Sequence, residues 1–470
     1  IGANYLDGTI DEVKIYSFAL TQDEILAEMN FGKAAIFGST GTASDGTTAD
    51  FSSAREYCVP GDTSTCNPPV GEWKFDENTG TSTTYDTSNN SNNGTLTSMT
   101  ESSWVPGKVG SALNFDGNAD YIDVGDSSSL DMGTSDFSYE FWMASSNAFT
   151  STKMVISKED SSSNNDRWGV GINSGKIRPN LDTGGWYSFD STNTVNDGSW
   201  HYVVATYDRS DQLKLFIDGV QDGSVDISAE SGVNIDNSYK FLIGALTETG
   251  TGNPINFFPG IIDQVRVYNY ARTPAQIAWS YNRGKPVGWW RLDENTGTTA
   301  YDASGNTNNG TLTNMDTSTD HVAGKRNNAL DFDGTNDYVD IGTGPTSVNA
   351  ISFWINPTTT TEYMVNLTGT SDYIWVNAGT ITATGLTSPT TYVNGQVSST
   401  LSAGSWQHVV VTTATAENAS NLDIGRTADA NYMQGKLDDI RLYNYVPTNK
   451  QILDIYNGDA LRFGPASGNP

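Results

Sequence analysis

A chain of 470 residues with 55 acidic and 25 basic side chains carries a formal net charge of −30 at pH 7. That surplus opposes docking through a basic patch on phosphate backbones or anionic lipid, and leaves divalent cations, or solubility alone, as its use. No run approaches the roughly 18–20 consecutive apolar residues of a membrane span, so neither nucleic acid nor membrane insertion is expected. At about 100–200 residues per domain the length allows two to four domains. The apolar residues fall in short runs among Thr, Ser, Asn and Gly, which is an all-β composition.

Residues 1–40 contain a strand, Gly8–Tyr16, that recurs as Gly260–Tyr268 and Gly435–Tyr443. Alternation places Asp11, Val13 and Ile15 on one face, as it does Asp263, Val265 and Val267, then Asp438, Ile440 and Leu442. Ten residues beyond each Asp stands Thr21, Thr273 or Thr448, followed three later by Glu24, Gln276 or Gln451, the reciprocal capping pattern of a helix start. Residues 1–40 therefore read as the last strand and closing helix of an incomplete preceding module. The chain, which opens on Ile1, reads as a segment of a longer polypeptide, the upstream part or a neighbouring subunit completing that module, the latter by strand addition.

Residues 41–69, rich in Gly, Ser, Thr, Asp and Pro, form a linker holding Cys58 and Cys66, whose spacing suits a small surface disulfide. With few cysteines and abundant Thr, Ser and Asn, the setting is extracellular or a cell surface. A full module spans 70–284 and a second 285–458, with a tail at 459–470. They match at Trp73-Lys-Phe-Asp-Glu77 and Trp290-Arg-Leu-Asp-Glu294, at Tyr85-Asp86 and Tyr301-Asp302, and at Phe115-Asp-Gly117 and Phe332-Asp-Gly334. From opening Trp to closing Asp the first module runs 190 residues and the second 148, so one edge is built differently. No linker separates them, which implies a fixed relative orientation.

Together the Trp-x-x-Asp-Glu opening, the Tyr-Asp-x-Ser turn, Phe-Asp-Gly-x-x-Asp-Tyr, the Trp-x-x-Val-Val strand and the Ile-Asp-x-Val-x-x-Tyr close resemble the laminin-G-like, concanavalin A-like jelly-roll repeats of bacterial surface proteins. That resemblance implies tandem two-sheet antiparallel sandwiches with first and last strands adjacent, each closed by a short helix. It also implies structural Ca²⁺, held by Asp86 with Asp263 and by Asp302 with Asp438, Asn and Gly carbonyls completing the shell. The competing reading is that these carboxylates accept backbone N–H bonds within turns.

The paired-Glu strand spacing of related glucanases is missing, and His201 and His408 lie beside Trp on apolar strands, so a non-enzyme is expected. Trp186 and Tyr187, after Thr183-Gly-Gly185, interrupt polar loop sequence and are the candidate sugar platform. Trp73, Trp142, Trp200, Trp290, Trp354 and Trp406 occupy repeated strand positions and read as core. The resulting expectation is an adhesion or scaffold protein whose partners are glycans or other surface proteins. A carbohydrate-binding module array and a subunit completed between chains are the alternatives.

Overall fold

The computed structural model describes residues 57–457 except 60, 61, 63, 162–165, 428 and 429. The strand and helix read at 1–40, most of the linker and the tail lie outside the described residues. In the first module the strand Pro259–Tyr268 sits in the middle of its sheet, between Phe137–Ala144 and Ser111–Asp116. The opening strand Gly71–Trp73 pairs with its far half, Gly71 opposite Val267 and Trp73 opposite Val265. Trp200–Tyr207, Gln212–Ile217 and Val220–Asp226 extend this sheet on one side, and Trp104–Pro106 ends the other. The facing sheet runs, in spatial order, 186–188, 176–182, 167–173, 153–158, 241–243, 121–125, 94–97 and 83–84.

The second module repeats the plan, with Gln434–Tyr443 between Asn328–Asp333 and Val348–Pro357, and Gly288–Trp290 paired to it. Both modules are antiparallel jelly-roll sandwiches. The unequal edge is real. After the Trp200 strand the first module adds 212–217 and 220–226, whereas the second fills that edge with 390–393 and 396–397, which precede their partner strand Gln407–Glu417 in sequence.

Between the sheets of each module lies an apolar core anchored by Trp73 and Trp290, both fully buried. A buried indole N–H needs an acceptor. Trp73 Nε1 donates to the Asn92 carbonyl and Trp290 Nε1 to the Asn308 carbonyl, each at 2.8 Å. Trp142 and Trp354 are buried elsewhere, on the outer face of the first sheet. There they lie beneath the closing helices α1 (Pro274–Asn282) and α2 (Asn449–Tyr456), with Tyr281 and Tyr456 each stacked at 5.6 Å. Both helices carry the expected capping boxes, Thr273 with Gln276 and Thr448 with Gln451.

The closing strands depart from plain alternation. The register against the neighbouring strand shifts between Asp263 and Arg266 and between Ser352 and Trp354, and Gln264 and Asp439 both adopt φ of +52°. These are β-bulges, and one extra residue reverses the side on which everything before it points. Ile262, Val265 and Val267 therefore face the core, as do Leu437, Ile440 and Leu442. Asp263 and Asp438 turn to the outer face, a correction to the shared face that alternation predicted. The second residue of each bulged strand is a glycine because a Cβ would collide with the next strand, 2.7 Å from the Ala144 oxygen at Gly260 and 2.5 Å from the Asn356 oxygen at Gly435.

The two sandwiches meet through α1. Ala275 and Ala278 pack against Ala350, Tyr443, Tyr445 and Ile455, Asn444 Nδ2 donates to the Gly219 carbonyl at 2.6 Å, and the Tyr445 hydroxyl to that of Gly284 at 2.8 Å. On its other side α1 holds residues of the linker region, Gln276 Nε2 donating to Asp62, Ser64 and the Thr65 carbonyl. Ala278→Asp places an unpaired charge in the junction. It is expected to cost about 3 kcal/mol and to split one calorimetric transition into two.

Candidate functional site

The closing helices cover part of the outer face of the first sheet, whereas neither of them lies on the outer face of the second. In the first module that face is hollowed into a cavity of about 260 Å³ lined by Thr152, Met154, Glu159, Asp160, Ser161, Arg167, Gly171, Arg178, Asn180, Trp186, Leu246 and Asn256. Alternation along Arg167–Asn173 explains the hollow: Trp168, Val170 and Ile172 point into the core while Arg167, Gly169 and Gly171 point out. A Cβ on Gly171 would stand 3.1 Å from the Met154 sulfur, and one on Gly169 2.8 Å from the Ile156 oxygen. Side chains there would fill the floor.

Trp186 forms one wall. It is 53 % exposed, unlike the repeated tryptophans, and Arg167 lies over its ring at 4.9 Å from the centroid. The hairpin that presents it pairs Asp182 with Trp186 and Leu181 with Tyr187. Paired residues share a face, so Trp186 joins Asp182 on the outside while Tyr187 packs at the core rim beside Leu181, its hydroxyl donating to Glu230 at 2.6 Å. The expected platform of two aromatics is thus split, and Trp186 alone reaches the cavity.

The polar wall is dense. Arg167 Nε donates to Asp182 at 2.9 Å and Arg167 also donates to the Asp160 carbonyl at 3.0 Å. Arg178 grips Asp190 with two bonds of 2.7 and 2.9 Å. Asn180 Nδ2 donates to Glu159 at 2.6 Å. Burial pushes the Glu159 carboxyl up to about 7, against the pull of the Asn180 bond and of Arg167, with Asp160 and Asp182 adding to the rise. Carboxylates, an amide and an exposed indole around a cleft of this size can hydrogen-bond hydroxyls and stack on an apolar ring face.

The aspartates expected to share a cation fall into two separate settings. Asp86 accepts from the Glu72, Ser88 and Asn92 amides and the Ser88 hydroxyl, at 2.8–2.9 Å. Asp302 does the same with the amides of Trp289, Ser304 and Asn308. N–H donors that ring a carboxylate take up the lone pairs a cation would need and turn their positive ends on the site, so Asp86 and Asp302 do not fit a cation shell. They shape the turn whose carbonyl receives the core indole. Asp263 and Asp438 lie instead under the 107–110 and 324–327 loops, accepting from the Val109 amide at 3.0 Å and the Arg326 amide at 2.7 Å. Each is fully buried and keeps one oxygen, Oδ1, without a hydrogen-bond partner. Among the described residues no group of three or more His, Cys, Asp or Glu is arranged to hold a metal. Cys58 and Cys66 are disulfide-bonded.

His201 lies at a strand edge between Asp218, at 2.8 Å, and Asp197, at 3.2 Å. The Asp218 bond raises its pKa. His408 is buried, bonded to the Ser352 hydroxyl at 2.9 Å, and burial pushes it down to about 3.

Residues 116–278 match the family model described as the concanavalin A-like lectin/glucanases superfamily, of the laminin G type. The first sandwich is therefore the kind of module that its motifs suggested. Three solved structures show similarity. Domain 4 of AbnA, a GH43 extracellular arabinanase from Geobacillus stearothermophilus in complex with arabinotriose, is 21 % identical, with 46 % of this chain and 98 % of that one covered and a TM-score of 0.36. Domains LG4-5 of the mouse laminin alpha1 chain are 14 % identical, with 72 % and 90 % covered and a TM-score of 0.28. The Ruminococcus gnavus IT-sialidase CBM40 is 15 % identical, with 32 % and 84 % covered and a TM-score of 0.28. Among the described residues no helix is long and apolar enough to cross a membrane.

Burial pushes Asp263 and Asp438 from 3.8 to about 7; the amide bonds of Val109 and Arg326 oppose this, while Asp76 adds to it at Asp263, and Asp439 and Asp293 at Asp438. A folded pKa above the unfolded value means that the native state binds the proton more tightly. Stability is then fully present below about pH 4 and lost as pH rises toward 7, by at most roughly 1.4 kcal/mol per pH unit for each group. The melting temperature is expected to fall between pH 4.5 and 7, and the Asp263→Asn/Asp438→Asn double variant to flatten that fall. A variant with the wild-type slope would count against this account.

Proposed function

We propose that this chain is a non-enzymatic, extracellular glycan-binding protein, and that adhesion to glycosylated surfaces follows from that binding. One observation carries the reading: a half-exposed indole, Trp186, flanks a cavity of about 260 Å³ whose polar wall is made of Glu159, Asp160 and Asn180. A sugar ring has an apolar C–H face for the indole and hydroxyls for the carboxylates and amide. The cavity is sized for one or two sugar units near the lower end of the usual range of roughly 300–1,000 Å³ for ligand pockets.

The polar groups favour holding over cleaving. A glycosidase needs two carboxyl groups facing each other across the scissile bond, one free to donate a proton. Here Glu159 accepts from Asn180, and Asp160 is its sequence neighbour. The packed junction between the sandwiches supports a role as a spacer that presents the cavity.

Trp186→Ala is expected to weaken binding to oligosaccharides on a glycan array at least tenfold, on the order of 1.4 kcal/mol or more, while leaving the melting temperature within about 1 °C because the ring is exposed. Oligosaccharides incubated with the wild-type protein should be recovered uncleaved. Binding unchanged in the variant, or cleavage, would defeat the reading.

A further inference from the structure

The charges around the cavity define which glycans it admits. Two guanidinium groups face it, and each has a carboxylate of its own. Arg167 is committed to Asp182 and to the Asp160 carbonyl, and Arg178 to both oxygens of Asp190. Arg167 is also pinned by position, since it stands opposite Asp182 across adjacent strands. The lining contains no lysine. Two further carboxylates, Glu159 and Asp160, are buried at 4 % and 7 % exposure and line the same space. Two acids therefore line the cavity, and two more, Asp182 and Asp190, stand behind its two bases.

We infer that the Trp186 cavity selects uncharged glycans and rejects those bearing a carboxylate, such as uronic or sialic acids. The inference rests on the glycan reading and adds the class of sugar to it. Recognition of a sugar carboxylate uses a guanidinium or ammonium with free N–H groups, bidentate where the geometry allows. To gain one here the ligand must displace Asp182 or Asp190, and its own charge then sits against Asp160 in a partly desolvated site. Hydroxyls face no such conflict. They donate to the carboxylates, and the second N–H of Asn180 is available to a sugar oxygen. Rejection thus comes from like charges and spent donors, a repulsive element built beside the attractive indole.

Asp190 lies outside the cavity lining, at the outer end of the Arg178 pair, with its side chain 41 % exposed. Its removal releases a cation into the wall without opening a hole in the core. Matched probes test the inference on the full chain by calorimetry: galactose against galacturonic acid trisaccharides, and lactose against sialyllactose. Wild type is expected to bind each uncharged probe at least tenfold more tightly than its carboxylate counterpart, and Asp190→Asn to narrow that ratio by about tenfold. Asp182→Asn, which frees Arg167, should narrow it in the same direction. Carboxylate probes bound by wild type as tightly as uncharged ones, or ratios unmoved in both variants, would overturn the selectivity while leaving glycan binding in place. Failure of wild type to bind any probe would overturn the glycan reading and the selectivity together.

Discussion

Each sandwich is completed by the strand that comes last. Pro259–Tyr268 is bonded on one side to Phe137–Ala144 and on the other to both Gly71–Trp73 and Ser111–Asp116, so the middle of the sheet waits for residues made at the end of the module. Partners such as Trp73 and Val265 are almost two hundred residues apart, and loop closure must be met before those contacts return anything. The arrangement forbids a partly built sheet with a stable centre. It also fixes the position of the helix that follows, because α1 begins a few residues beyond Tyr268 and can reach only the outer face of the same sheet.

From this one strand the polar seam follows. The bulge at Gln264 or Asp439 lets two apolar residues keep the core while turning an aspartate outward beneath a loop, where one oxygen is bonded and the other is not. The opening Trp strand, held by the closing strand, brings its indole N–H to the turn that Asp86 or Asp302 organises. Aspartates that look alike in sequence thus do opposite things. One pair gathers N–H donors within its turn; the other sits in a dry place, where a proton is the better companion.

Much of this was legible in residue order. The repeated motifs announced two modules and the capped helices at Thr273 and Thr448, and the family they resemble implied the sandwiches and the adjacency of first and last strands. Trp186 stood out because an aromatic in a polar stretch has no core to enter. The bulge was not legible, since period-two reasoning assumes no extra residue and Gln264 is an unusual occupant of left-handed backbone. The loss of Tyr187 from the platform follows from the strand formed at Trp186–Ser188, where a loop was expected; neighbours on a strand face opposite ways. The polar wall was hidden because Arg167, Arg178 and Asn180 come from two strands and Glu159 from the end of a third, just past Lys158. One signal did point to it: outward glycines at 169 and 171 in an otherwise bulky strand mark a place left open.

The two modules then differ where the fold gives them latitude. Both first sheets are partly roofed by a helix, through Tyr281 on Trp142 and Tyr456 on Trp354, and neither helix lies on the outer face of the second sheet, which is free to vary. In the first module that face was given glycines, paired charges and one projecting indole. In the second, the corresponding strands carry Tyr363 and Trp375, rings parallel to within 3° at 5.8 Å, with the Trp375 N–H donated to Thr384. There the aromatics satisfy one another across the strands. The scaffold that demands near-identical opening turns and closing strands leaves this face without a role in holding the sandwich together, and a face of that kind can acquire a cavity in one copy and a stacked pair in the other at little cost to the fold.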